Sequence, residues 1–127
     1  SLDKYFIVPF TEEEFTHLSQ YMETKDRNYS DIVKNKEIFV LKNDAVEEIY
    51  GWKFQPGDTI KFEWFDGTEY REDVFSVGGE ISNEKAYSDP ECFTALGVSG
   101  WFLMPDELIR TMLPEGYNIN SEVLLST

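Results

Sequence analysis

Residues 51–77, GWKFQPGDTIKFEWFDGTEYREDVFSV, decide how this chain folds. Within them Ile60, Phe62 and Trp64 alternate with charged residues, which is the two-residue period of a strand with one buried face. A proline-glycine pair that favours a turn precedes this strand, and an aspartate-glycine pair that is common in hairpin reversals follows it. The stretch therefore predicts a β-hairpin over residues 58–77.

The side chains also predict the register of this hairpin. We expect a three-residue connection at residues 66–68, because it pairs apolar residues on one face and opposite charges on the other. We also expect a β-bulge near residues 73–75, because the apolar positions change phase after Val74. The predicted cross-strand pairs are Trp64–Tyr70 and Ile60–Val74 on the apolar face, with Lys61–Asp73 and Glu63–Arg71 on the other.

The segments around the hairpin predict the rest of the fold. Their order is β-α-β-α-β-β-β-α-β, which indicates an α+β domain. We expect a mostly antiparallel small sheet or partial barrel around the hairpin at residues 58–77, with about three helices. Outside the hairpin, strands are predicted near residues 6–8, 38–41, 101–104 and 118–126, and helices near 12–24, 45–50 and 106–113.

The first helix has the strongest terminal signal in the chain. Thr11 and Glu14 have the spacing of a capping box, in which the side chain of each residue accepts a hydrogen bond from the backbone N–H of the other residue. Phe10 before the cap and Phe15 after it have the spacing of a hydrophobic staple. Phe15 also begins an apolar stripe at helical spacing, and core packing is the preferred interpretation of that stripe.

Composition limits the classes of protein that the chain can belong to. Its 127 residues are most simply one domain, and its formal charge of −14 argues against nucleic acid as a partner. The single cysteine excludes an internal disulfide, and no apolar run approaches the ~20 residues of a membrane span. The chain begins with Ser1 and not with Met, so we expect it to be an excised piece of a larger protein.

One segment has the spacing of a metal-binding loop. Asp26, Asn28, Ser30 and Glu37 occupy positions 1, 3, 5 and 12 of an EF-hand-like calcium loop, and their oxygens suit Ca²⁺. Asp31 stands where that loop needs glycine, and a strand-like run follows in place of a helix. A polar loop is therefore the preferred interpretation, calcium remains a weak candidate, and no cofactor is predicted.

The sequence contains no catalytic motif. His17 is interpreted as a surface histidine of the first helix, and Cys92 has no histidine near it in sequence. Trp52, Trp64 and Trp101 could form a face that binds sugar or peptide, although Trp64 and Trp101 occupy apolar strand positions that favour the core. We expect no catalytic residues and no enzyme activity.

Four segments together are similar to a known family. They are EIFVLKNDAVEEIYG at residues 37–51, QPGDTIKFEWFDGTEYREDVFSVGGEI at 55–81, WFLMPDEL at 101–108 and SEVLLST at 121–127. Their order resembles the extracytoplasmic domain of FtsX-like/MacB-like ABC transporter permeases. In that order a strand and a short helix ending in an aromatic-glycine pair come first, a G-D-x-I turn and a hairpin follow, and a strand running into proline, a helix and a final strand complete it.

The resemblance implies a single domain, residues 1–127, looped out between two membrane helices of an integral membrane permease. Such a domain lies on the extracytoplasmic face, binds a substrate or partner such as a peptide or lipoprotein, or transmits motion from the membrane helices. ATP hydrolysis would belong to a separate cytoplasmic subunit. The two chain termini should lie near each other at one pole of the domain, facing the membrane. Two alternatives stay open: a secreted or surface carbohydrate- or ligand-binding module, and a small enzyme built around Cys92 or a carboxylate pair.

Overall fold

The computed structural model describes residues 2–22, 26–42, 48, 53–82, 89, 100–112 and 123–126 of an α+β chain. Three α-helices and six strands are present in this part of the chain. The helices are α1 (Glu12–Leu18), which continues into a 3-10 turn (Ser19–Tyr21), α2 (Tyr29–Lys34) and α3 (Asp106–Met112). The strands are β1 (Leu2–Phe10), β2 (Glu37–Lys42), β3 (Thr59–Phe65), β4 (Tyr70–Ser82), β5 (Gly100–Pro105) and β6 (Val123–Ser126).

The strands form one mixed sheet. Their order is β1, β5, β2, β4, β3 and β6, and β6 pairs back with β1, so the sheet closes into a barrel. The prediction of a mostly antiparallel small sheet or partial barrel is wrong, because β1 pairs with β5 in parallel and β2 pairs with β4 in parallel. The α+β class stands, and the described residues contain three α-helices, in agreement with the expected number. Among the described residues, no helix combines the length and the apolar character needed to cross a bilayer.

The interior of the barrel is filled by apolar side chains. Every second residue of β3 is buried, at Ile60, Phe62 and Trp64, as the alternation predicted. Phe62 packs edge-on against Phe102 of β5, with ring centroids 5.3 Å apart. Helix α3 covers the same cluster, whose buried members are Ile7, Ile38, Val40, Ile60, Phe62, Phe75, Val77, Phe102, Met104, Leu108 and Ile109.

A second apolar cluster lies where α1 and α2 pack on the outer face of the sheet. The Thr11–Glu14 capping box is present, and Phe10 stacks on Phe15 at 5.9 Å, which confirms the predicted helix start. The helix ends at Leu18 and passes into the 3-10 turn, earlier than expected. The buried residues of this cluster are Phe10, Phe15, Leu18, Met22, Tyr29, Ile32, Phe39, Leu41, Ile81 and Leu103.

The hairpin connection is one residue longer than predicted. Phe65 pairs with Tyr70, so four residues, 66–69, join the strands. The carboxylate of Asp66 accepts hydrogen bonds from the backbone N–H groups of Thr68 (2.7 Å) and Glu69 (2.8 Å). A turn closed by these side-chain-to-backbone hydrogen bonds accommodates the extra residue in the connection. The predicted register is therefore wrong. The observed pairs include Ile60–Phe75, Lys61–Val74, Phe62–Asp73, Glu63–Glu72 and Trp64–Arg71.

The predicted bulge is also misplaced. The β3–β4 register runs without a break through residues 73–75, so no bulge lies there. Strand β4 is irregular instead in its parallel pairing with β2, where Ile38 faces Val77 but Phe39 faces Gly79, which leaves Gly78 as the extra residue. Val77 consequently packs inside the barrel while Ile81 packs against the outer cluster.

The remaining elements agree with prediction in part. Strands β2 and β5 and helix α3 lie where they were expected, and β6 (Val123–Ser126) falls within the predicted final strand, whose first five residues lie outside the described part of the chain. Helix α2 replaces the polar loop expected before β2, so that interpretation is wrong; Asn28 caps the helix by accepting from the backbone N–H of Ser30 at 2.9 Å. The short helix predicted at residues 45–50 falls almost entirely outside the described residues.

Candidate functional site

A polar cavity opens where α3 meets the β3–β4 hairpin. Its volume is about 130 Å³. Trp64 of β3 and Phe75 of β4 supply aromatic surface, and α3 supplies the opposite wall. The side chains that line the cavity are Lys36, Trp64, Arg71, Asp73, Phe75, Leu108, Thr111 and Met112.

Asp73 organises the polar side of the cavity. The indole Nε1 of Trp64 donates to Asp73 Oδ2 at 2.9 Å, and Lys36 Nζ donates to Asp73 Oδ1 at 3.3 Å. Lys36 Nζ also lies 4.9 Å from the centroid of the Phe75 ring, within the range of a cation–π interaction. One carboxylate therefore fixes both the buried indole and the half-exposed ammonium group.

The backbone of Lys36 is held in an unusual conformation. Its φ of +52° lies in the left-handed region, which costs a residue with a Cβ on the order of 1 kcal/mol or more. Two hydrogen bonds hold it there: Lys36 N–H donates to the carbonyl of Val33 at 3.1 Å, and Lys36 C=O accepts from Ser76 N–H at 2.9 Å. The ammonium group is consequently presented from a backbone anchored to both α2 and β4.

Arg71 is held at the rim by the hairpin connection. Its guanidinium donates from Nε to the buried carboxylate of Asp66. The backbone N–H groups of Glu69 and Thr68, and then Arg71, hold the pKa of the Asp66 carboxyl below its usual range. The same turn that lengthens the connection therefore positions the second cation of the cavity.

The size and chemistry of the cavity suit the binding of one small group. Ligand sites for whole small molecules usually measure ~300–1,000 Å³, so about 130 Å³ is the scale of a single side chain or a fragment. The lining contains both signs of charge over aromatic surface, and the Thr111 hydroxyl donates to the Leu108 carbonyl at 2.8 Å. This arrangement can receive one side chain of a larger partner.

The calcium-loop candidates are used in other contacts. Asn28 Oδ1 accepts from both the backbone and the hydroxyl of Ser30, and the buried Glu37 carboxylate pairs with Arg27. Asp26 is exposed. In the part of the chain that the structure describes, no three His, Cys, Asp or Glu side chains gather at a spacing that could hold a metal ion. The calcium hypothesis gains no support from these positions.

The other candidate residues lie in the core, on α1 or outside the described residues. Trp64 is 3% exposed, so the core interpretation is confirmed for it. His17 is half-buried near the end of α1. Cys92 and Trp52, with the side chain of Trp101, lie outside what the structure describes.

Sequence reasoning missed the role of Asp73. It was expected to pair with Lys61 on the outer face, whereas the observed register turns it toward Trp64. The available signal was its spacing with Phe75 and Val77, since the three share one face of a regular strand.

Comparison of the chain with protein-family models, with curated proteins and with solved structures found no match. The similarity to permease domains therefore rests on the residue pattern alone.

Proposed function

We propose that the chain is a non-catalytic extracytoplasmic domain of an FtsX-like/MacB-like ABC transporter permease. In this role it binds a substrate or partner outside the membrane, such as a peptide or lipoprotein, or transmits motion of the membrane helices to it. ATP hydrolysis then belongs to a separate cytoplasmic subunit.

The observation that carries this proposal is the pairing of the first and last strands. β1 and β6 are antiparallel neighbours, and Leu2 faces Ser126 at the end of their ladder. Paired strands lie ~5 Å apart, so the chain enters and leaves the domain at one place. A domain inserted between two membrane helices needs this geometry, whereas a domain with ends at opposite poles would not fit there.

The cavity at Asp73 supports a binding role. Its volume of about 130 Å³ accommodates one side chain, and its charged groups are fixed by hydrogen bonds before any ligand arrives. Groups held in place lose little conformational freedom on binding, which favours recognition of a partner.

One observation favours the alternative of a surface carbohydrate- or ligand-binding module. Phe65 and Tyr70 are exposed and form an edge-to-face pair with centroids 5.1 Å apart. Exposed aromatic rings stack on sugars and on peptides. Titration with a panel of oligosaccharides, compared between the wild type and Tyr70→Ala, tests this alternative, which requires saturable binding that the variant loses.

The reading frame that encodes the chain is the first test of the permease proposal. We expect a span of ~20 apolar residues directly upstream, further spans downstream and an ATPase gene alongside. A frame that encodes only a signal peptide and this domain would overturn the proposal.

Labelling of the full-length protein in cells provides an independent check. In a background without other cysteines, Gln55→Cys at an exposed position should react with a membrane-impermeant maleimide. Labelling only after the cells are permeabilised would place the domain in the cytoplasm and contradict the proposal.

A further inference from the structure

The exposed apolar side chains of the described chain share one location. The three large ones are Phe65 (43% exposed), Tyr70 (71%) and Val74 (52%), and all belong to the β3–β4 hairpin. They project from its outer face, since the inner face carries the buried Phe62 and Phe75. Single exposed apolar residues are ordinary on protein surfaces, but here two adjoining aromatic rings and a third apolar side chain share one face of a single hairpin, which is typical of an interaction site.

The register arranges this outer face into three cross-strand pairs. Phe65–Tyr70 lies at the tip, Glu63–Glu72 in the middle and Lys61–Val74 farthest from the tip. We call these six residues the hairpin strip. Successive pairs are two residues apart, which is ~7 Å along a strand, so an extended chain can present its residues i, i+2 and i+4 to them in turn.

The middle of the hairpin strip has an excess of negative charge. Glu63 lies directly opposite Glu72, and like charges at opposed positions destabilise a sheet. Lys61 approaches Glu72 at 3.7 Å, and Arg71 is engaged by Asp66 and, at 3.9 Å, by Glu69. A cation placed over the central pair would relieve this repulsion, in a protein whose formal charge is −14.

We propose that the hairpin strip docks an extended segment of a partner protein that presents one Lys or Arg side chain between two apolar side chains. The basic side chain lies over Glu63 and Glu72, and the apolar side chains contact Phe65 with Tyr70 at one end and Val74 at the other. A second copy of this chain is disfavoured, because it would place four glutamates together. Nucleic acids and anionic lipids are repelled by the same charge. The strip has this chemistry in any parent protein, so the proposal does not rest on the permease assignment.

A peptide titration followed by NMR tests this proposal. The probe is an acetylated and amidated pentapeptide of phenylalanine, threonine, lysine, threonine and leucine, titrated into the ¹⁵N-labelled protein at low salt. We expect saturable amide shifts confined to β3, β4 and their connection, with a Kd of ~1 mM. The analogue with glutamate in place of lysine, and the analogue with serine at both apolar positions, should each produce no saturable shift.

Two double variants separate a specific site from general attraction to an acidic protein. Glu63→Gln/Glu72→Gln should raise the Kd by about tenfold. The matched control, Glu13→Gln/Asp31→Asn, removes two exposed negative charges from α1 and α2 and should change the Kd by less than about twofold. Equal weakening by both would show nonspecific attraction and overturn the proposal.

The exposed ring is tested by Tyr70→Ser, chosen because its high exposure makes misfolding less of a risk than at Phe65. We expect loss of the saturable shifts while the rest of the spectrum is unchanged. Three results would each overturn the proposal. They are unchanged affinity of Tyr70→Ser for the peptide, amide shifts located elsewhere on the barrel, and no saturable shift of the wild type at peptide concentrations up to ~5 mM.

Discussion

At the scale of single residues, Tyr29 joins two parts of the molecule that the sequence keeps far apart. Its ring packs in the outer cluster at 5.9 Å from Phe15, and its hydroxyl reaches the first turn of α3. Burial, followed by the nearby carboxylates of Glu107, Asp106 and Glu12, raises the Tyr29 pKa to about 12. The folded protein therefore favours the neutral phenol.

This pKa predicts a stability change at high pH. Because the pKa of Tyr29 is higher in the folded protein than its ordinary value of 10.0, its contribution is complete below pH 10 and is lost as the pH rises from 10 to about 12. We expect the free energy of unfolding of the wild type to fall relative to Tyr29→Phe across this range. Urea unfolding at pH 9, 10, 11 and 12 measures the difference.

The exposed Tyr70 provides the control for that experiment. Tyr70→Phe removes a hydroxyl from a side chain that is 71% exposed, so comparison with this variant shows how much of the stability change belongs to the Tyr29 hydroxyl. A profile of Tyr29→Phe that parallels the wild type up to pH 12 would show that the Tyr29 hydroxyl does not couple α2 to α3.

At the scale of elements, the bulge in β4 depends on a residue without a side chain. A Cβ at Gly78 would lie 2.9 Å from Phe39 Cε1 and 3.0 Å from Glu37 Oε1, and both neighbours are buried. We expect Gly78→Ala to lower the free energy of unfolding by ~1–3 kcal/mol, which is typical of overpacking. Denaturant unfolding measures this loss.

A double-mutant cycle identifies the cause of that loss. In a Phe39→Leu background the ring is absent, so Gly78→Ala should cost less by ~0.5 kcal/mol or more. An equal cost in both backgrounds would exclude the Phe39 ring as the cause and leave the contact with Glu37 or the backbone.

The cap of α1 is a second test at this scale. Thr11 Oγ1 accepts from Glu14 N–H at 3.2 Å, and Glu14 Oε1 accepts from Thr11 N–H at 3.1 Å. Thr11→Ala should therefore destabilise the protein by ~1 kcal/mol, whereas Thr11→Ser, which keeps the oxygen, should lose much less. Equal unfolding midpoints for the two variants would contradict a role for the hydroxyl.

The secondary-structure elements also show which features of the fold could be predicted from the sequence. The Thr11 cap and the burial of Trp64 follow from spacing over a few residues, and both were predicted. The hairpin register depended on Asp66 binding two backbone N–H groups, which alternation alone does not encode. Asn28 was interpreted as part of a polar loop, with calcium binding as a weak candidate, because its oxygen suits a turn or a metal ion as well as a helix N-terminus.

At the scale of the whole molecule, the sequence patterns did not predict which strands distant in the chain are neighbours in the sheet. The parallel pairs β1–β5 and β2–β4 join segments that lie far apart in the chain, and no local pattern specifies which distant strand is a neighbour. The cavity was missed for the same reason, because Lys36 and Asp73 meet only after β2 and β4 align.

The pairing of the terminal strands predicts that the chain tolerates circular permutation. A ~4-residue linker can join the original ends, and new ends can open between Pro56 and Gly57 in an exposed turn. We expect this permutant to fold with a free energy of unfolding within ~1 kcal/mol of the original, measured by urea unfolding. A control opened between Ile38 and Phe39, inside a strand paired on both sides, should fail to fold. Equal behaviour of the two permutants would contradict this prediction.

The same terminal ladder determines how the domain responds to mechanical load. Leu2 and Ser126 lie at one end of the antiparallel β1–β6 pair, so a pull that separates the two chain ends loads the inter-strand hydrogen bonds one after another. Bonds loaded singly break at low force, whereas bonds loaded in parallel share it. Tension between the two ends should therefore open the barrel at β6 first, while compression or rotation of the ends together moves the domain as a rigid unit.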